Sequence, residues 1–184
     1  MFDYNHYVPV LRWKQAEWSA LRNLTAEDRV RMTPLIEITP RSVAPRKRRP
    51  SADQMLEKNV ADIQDNWGQA PVFVDLWHLT SLPPLASGLH PLGFLAQEAR
   101  ARDVHLIPVT GLNRDGTFQS VLASVVASDR KGACFRLLRS DLQRSTLRHD
   151  LDGSCRGWDY RRTRSTCSWT ASTWKVPAKT GARC

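Results

Sequence analysis

The 184-residue chain is poor in cysteine and glycine, and it has no long apolar run. Its cysteines, Cys134, Cys155, Cys167 and Cys184, make no C-x-x-C pair and have no paired histidines nearby, so reduced thiols are expected rather than a zinc site. No stretch approaches the ~18 consecutive apolar residues that a membrane span requires. The opening Met1-Phe2-Asp3-Tyr4-Asn5-His6 lacks a basic segment followed by an apolar one, so no secretory signal is legible and a cytoplasmic location is the expectation. Lysine is scarce beside arginine. That bias reflects a GC-rich genome as readily as a nucleic-acid partner, so the net charge of +9 is weak evidence for DNA or RNA binding. Nor does a glycine-rich turn follow the first β-rich run: Arg12-Trp13-Lys14 stands where a dinucleotide-binding sheet would carry its phosphate turn.

What is present, as far as about residue 150, is a repeated strand-then-helix pattern. The stretch 7–39 opens it. Residues 7–11 are β-branched and aromatic, and Pro9 restricts them to an edge or a strand start. Trp13, Glu17, Leu21 and Leu24 then return at helical spacing, and Glu27-Asp28-Arg29 marks a surface link. Residues 34–38 are nearly continuous in apolar side chains, as a strand buried on both faces requires. Three further buried-type strands are expected at 71–76, 104–109 and 133–138. Between them lie a helix capped by Ser51 and ending near Gly68, one at 92–102 and one lined by Phe118, Val121, Leu122, Val125 and Val126. Ser140 and Asp141 are expected to cap a last helix running to about His149.

Five such units argue for an α/β fold with a parallel sheet, arranged as the first half of a (β/α) TIM-like barrel and incomplete as it stands, since eight units need ~250 residues. A doubly wound open sheet is the competing arrangement.

The opening Y-V-P-V-L-R-W-K-x-x-E, followed about twenty residues on by P-L-I-E-I, resembles the start of the beta protein family of phages and bacteria. P-V-F-V-D-L, I-P-V-T and C-F-R-L further along match it as well. The resemblance covers roughly residues 7 to 150. It implies a longer full-length protein and no particular mechanism, because the family is functionally uncharacterised.

Residues 151–184 break the pattern. They carry seven cations against two carboxylates, with Trp158, Trp169 and Trp174 in neither helical nor strand period. Codons for Ser, Cys, Trp and Tyr that begin with T place that T in the middle of a codon when shifted by two bases, where it encodes an apolar residue. Read that way, the tail yields a sixth buried strand and a helix start. The expectation is a partial barrel domain over 1–150 and a frameshifted, disordered basic tail over 151–184.

In (β/α) barrels chemistry gathers at the C-terminal ends of the strands. Those ends supply Lys14, Glu37, Asp75, Thr110 and Arg136. Each charge interrupts or closes an apolar run, and a buried charge needs a partner. Period-two alternation places Leu35 with Glu37, Phe73 with Asp75, and Cys134 with Arg136 on common faces. The functional reading is an anion or phosphate pocket with Lys14, Thr110 and Arg136 as ligands, and with Glu37 or Asp75 as a catalytic base or metal ligand. The bland alternative is a buried ion-pair layer, and two carboxylates alone are a weak metal signal.

The loop residues Arg41, Arg46, Lys47, Arg48 and Arg49 form either a phosphate or nucleic-acid contact or a solvated basic loop. Trp13 and Trp18 are read as packing residues, with base stacking the alternative. His78 and His90 have no spaced partner. Two function classes follow: a barrel binding or acting on an anionic, phosphorylated or nucleotide-like small molecule, and a non-catalytic phage-related or defence-associated module that binds nucleic acid or a protein. No cofactor or oligomeric state is assigned.

Overall fold

A computed structural model describes residues 5–40, 50–79 and 82–155. The basic residues Arg41–Arg49 and the tail from 156 onward lie outside them.

The described chain alternates strand and helix throughout. β1 (Val10–Arg12) leads into α1 (Gln15–Arg22) and α2 (Ala26–Val30), and β2 (Leu35–Glu37) into α3 (Ala52–Trp67). β3 (Val72–Asp75) leads into α4 (Pro91–Ala101), β4 (Leu106–Thr110) into α5 (Gly116–Asp129), and β5 (Cys134–Phe135) into α6 (Leu147–Cys155). Short 3-10 turns occupy Trp77–Leu79 and Asp141–Gln143.

All strand pairs are parallel, in the order β1-β2-β3-β4-β5. A doubly wound sheet reverses its strand order at a switch point. No reversal occurs here, and consecutive neighbours are the arrangement of successive strands in a (β/α) barrel. Among the described residues no helix is long and apolar enough to cross a membrane.

Local chemistry accounts for most boundaries. Pro9 has no N–H to give, so Tyr7 reaches β2's approach only through an isolated bridge to Met32, and the regular ladder starts at Val10. Glu27-Asp28-Arg29, expected as a plain link, is helical. Thr25 accepts a hydrogen bond from the Asp28 amide at 3.2 Å while the Asp28 carboxylate accepts one from the Thr25 amide at 3.3 Å. That reciprocal cap satisfies two otherwise unpaired donors, which makes so short a helix worth forming.

Ser51 and Gln54 cap α3 in the same way, and Gly68, at φ 82°, ends it in a conformation that side-chain-bearing residues avoid. The expected last helix is split. Ser140 precedes a single turn, Asp141–Gln143, without a side-chain capping bond, and α6 is a separate helix that crosses residue 150, with Leu151 buried.

The two sheet faces bury different residues. Ile36, Ile38, Val72, Val74 and Leu106 pack with Leu56, Val60, Ile63, Leu95 and Leu122 of the helices. On the opposite face Leu35, Phe73, Val109 and Cys134 form a separate cluster with Val8 and Ile107. Strand alternation then puts Glu37, Asp75 and Arg136 on the second face, at its C-terminal rim.

Candidate functional site

The site begins as a matter of register. Arg12 pairs with Glu37 across β1 and β2, and Glu37 pairs with Asp75 across β2 and β3. Three charges therefore stand side by side on the last residues of adjacent strands. Arg136 comes from the residue just past β5, two strands away from Asp75. The intervening strand end carries Gly111, where an added Cβ would lie 3.0 Å from the Arg136 carbonyl oxygen. With no side chain at Gly111, the Arg136 backbone closes on Thr110 at 2.8 Å and its guanidinium reaches both carboxylates.

The pairing is dense. Arg136 Nη1 donates to Glu37 Oε1 at 2.5 Å and to Asp75 Oδ2 at 2.9 Å. Asp75 Oδ1 accepts from Arg114 Nη2 and from the Trp77 amide, the latter at 2.9 Å. Glu37 Oε2 lies 3.0 Å from His78 Nε2 and 3.8 Å from Arg12 Nε.

Asp75 is fully buried and Glu37 is 5% exposed. Carboxylates so placed are costly to bury unless charged donors replace their water. Burial pushes the Glu37 carboxyl up, but hydrogen bonds from Arg136 and His78 outweigh it and hold the group below the usual carboxylate range. Burial likewise works against the Arg136 charge, and the bonds to Asp75 and Glu37 reverse that and hold it more firmly cationic.

Arg114 is fixed from three directions. Its guanidinium carbon lies 5.1 Å from the Trp77 ring centroid and 4.8 Å from that of Phe118. Its neighbour Asp115 caps α5 by accepting from the Phe118 amide at 2.9 Å. Cation–π contacts and a salt bridge together hold a side chain that a loop would otherwise leave free.

A shallow pocket opens beside this cluster, lined by Asp75, Trp77, Asn113, Arg114, Arg136 and Asp141 among others. It is partly open and small, about 10 Å³, room for roughly one water. Asp141 is buried in its wall, accepting from the Leu138 amide at 2.9 Å and lying 3.4 Å from Arg144 Nε.

The structure brings together Glu37, Asp75 and Arg136. Thr110 is buried at the pocket's edge, where Gln119 of α5 holds its hydroxyl at 3.2 Å. Lys14 stands apart: it is exposed at the N-cap of α1 and pairs with neither carboxylate. Arg41, Arg46, Lys47, Arg48 and Arg49 lie outside the described residues.

His78, which has no partner at any regular spacing, is bonded to Glu37 from 41 positions away. His90 caps α4, its Nδ1 accepting from the Leu92 amide at 3.1 Å. Trp13 is buried in the core, and Trp18 packs against it. Sequence reasoning passed over Arg114. The available signal was a lone arginine in the loop after the fourth strand of a barrel-type sheet. Among the described residues no group of three or more His, Cys, Asp or Glu side chains is placed to hold a metal ion.

A family model described as Beta protein matches residues 7–164. No curated protein matches the chain, and no solved structure does.

Proposed function

The chain belongs to the Beta protein family, and we propose that it binds an anionic ligand, phosphorylated or nucleotide-like, at the C-terminal ends of its strands. One observation carries this reading: three arginines, Arg12, Arg114 and Arg136, face two carboxylates, and Arg136 keeps unused donors at the pocket. Both hydrogens of its Nη1 are taken by Glu37 and Asp75, which leaves Nη2 and Nε for a ligand. A guanidinium already aimed by two buried carboxylates gives up little freedom when it binds, and its planar fork suits phosphate oxygens.

In this reading Glu37 and Asp75 position the cations. A carboxyl with a depressed pKa is a weak proton acceptor, and both oxygens of Asp75 are occupied, so the arrangement favours binding over general-base chemistry. The test is calorimetric titration of the full chain with inorganic phosphate and ribose 5-phosphate. Arg136→Lys preserves the charge that Glu37 and Asp75 need but loses the fork, and is expected to weaken both ligands about tenfold or more. Unchanged affinity in that variant, or no binding by the parent chain, rejects the proposal. Affinity that falls steeply with salt and appears only with oligonucleotides would favour the nucleic-acid-binding module instead.

A further inference from the structure

Trp77 is one of the few large apolar side chains left exposed in the described chain, at 39%. It lies two residues past Asp75, and its amide donates to Asp75 Oδ1 at 2.9 Å, so its backbone is tied to the charged cluster. Arg114 covers one side of its ring, with the guanidinium carbon 5.1 Å from the centroid. Trp77 and Arg136 line the same pocket on either side of Asp75, to which both donate.

Here the indole is held by its backbone and by a cation while part of its surface stays in water. That is the layout of a stacking platform: a ring already ordered, polarised by a neighbouring guanidinium, with area left for a second π-system.

We infer that the open face around this water-sized pocket selects a phosphorylated nucleoside, with the phosphate on Arg136 and the base stacked outside the pocket on Trp77. The inference rests on the anion-binding reading and adds the class of ligand. A sugar phosphate satisfies Arg136 alone, whereas a nucleotide satisfies Arg136 and Trp77 together. The same chemistry is offered by a free nucleotide and by the 5′-phosphorylated end of a single strand.

Titration of the full chain separates these cases, with AMP, UMP, ribose 5-phosphate, inorganic phosphate and a 5′-phosphorylated tetranucleotide as probes. The parent chain is expected to bind the nucleotides about tenfold more tightly than ribose 5-phosphate. Trp77→Ala should erase that advantage by costing the nucleotides about tenfold more than it costs ribose 5-phosphate, and Trp77→Phe should keep most of it. Circular dichroism and the thermal midpoint establish that each variant is folded, as the exposure of the site leads one to expect.

Tetranucleotide binding that equals or exceeds mononucleotide binding, and is lost in Trp77→Ala, supports the inference with a strand end as the source. Weaker tetranucleotide binding supports it with the free nucleotide. Equal affinity for AMP and ribose 5-phosphate, or equal losses for both in Trp77→Ala, overturns it. The anion-binding reading survives that result if Arg136→Lys still weakens both ligands. Failure of every probe to bind the parent chain overturns both.

Discussion

Two arginines, at opposite ends of the strand–helix units, show what guanidinium groups do in this fold. Arg29 sits in α2, where α1 and α3 finish. It donates to the carbonyl oxygens of Leu21 at 2.7 Å, Trp67 at 3.0 Å, Asn66 at 3.2 Å and Arg22 at 3.4 Å, and its guanidinium carbon lies 5.1 Å from the Trp67 ring. Those carbonyls are among the last of their helices, which have no partner within the helix and carry the negative end of its dipole. Arg29 closes two helix ends at once and meets no carboxylate among its described partners.

Arg136 faces two buried carboxylates at the other end and satisfies them with one nitrogen. Similar chemistry serves two purposes. At the N-terminal ends of the strands the arginine's donors are spent on the fold. At the C-terminal ends some of them remain available, which matches the general division of (β/α) architectures into a stability face and a functional face.

That division can be broken experimentally. The largest effect is expected from Asp75→Ala, which leaves Arg114 and Arg136 without their fully buried partner. The loss should be about 3–5 kcal/mol, read as a lowered denaturation midpoint. A cost no greater than that of Arg29→Ala would mean the carboxylate cluster is not the more demanding end.

Arg29→Ala should cost about 2 kcal/mol through orphaned helix carbonyls and a lost cation–π contact, with no change in ligand affinity. An affinity loss comparable to that of Arg136→Lys would erase the distinction between the two ends.

Acid sharpens the contrast further. The Glu37 carboxyl is depressed in the folded state, so its contribution is complete above its unfolded value, near 4.5, and is lost as pH falls through the lower folded value. Glu37→Gln should be less stable than the parent near pH 7, and the gap should narrow as pH drops below about 4.5, as seen in denaturation midpoints across pH. A gap constant with pH would show that Glu37 contributes nothing as an ion. The smallest effect belongs to Arg12→Ala. That side chain is 63% exposed and 3.8 Å from Glu37, so stability should shift by no more than about 0.5 kcal/mol in a thermal melt.

Much of this arrangement was legible in the chain because it depends on neighbours along the backbone. Continuous apolar runs marked the strands, three- and four-residue spacing marked the helices, and period-two alternation placed Glu37, Asp75 and Arg136 on their faces. The cap of α2 was legible too, in Thr25 and Asp28 three residues apart, but the charges there read more readily as a link.

Their shared face also led one to expect Glu37, Asp75 and Arg136 to converge; what no local pattern specified is the rest of the pairing and its atoms. Arg114 finds Asp75 across 39 positions, and Arg136 meets Glu37 across 99 through Nη1. His78 gains its partner only because β2 and β3 lie side by side. Periodicity assigns a side chain to a face, whereas an ion pair requires two faces to be brought within about 4 Å and stripped of water together. Strand order and the bare Gly111 between Asp75 and Arg136 decide that, and both are properties of the folded sheet.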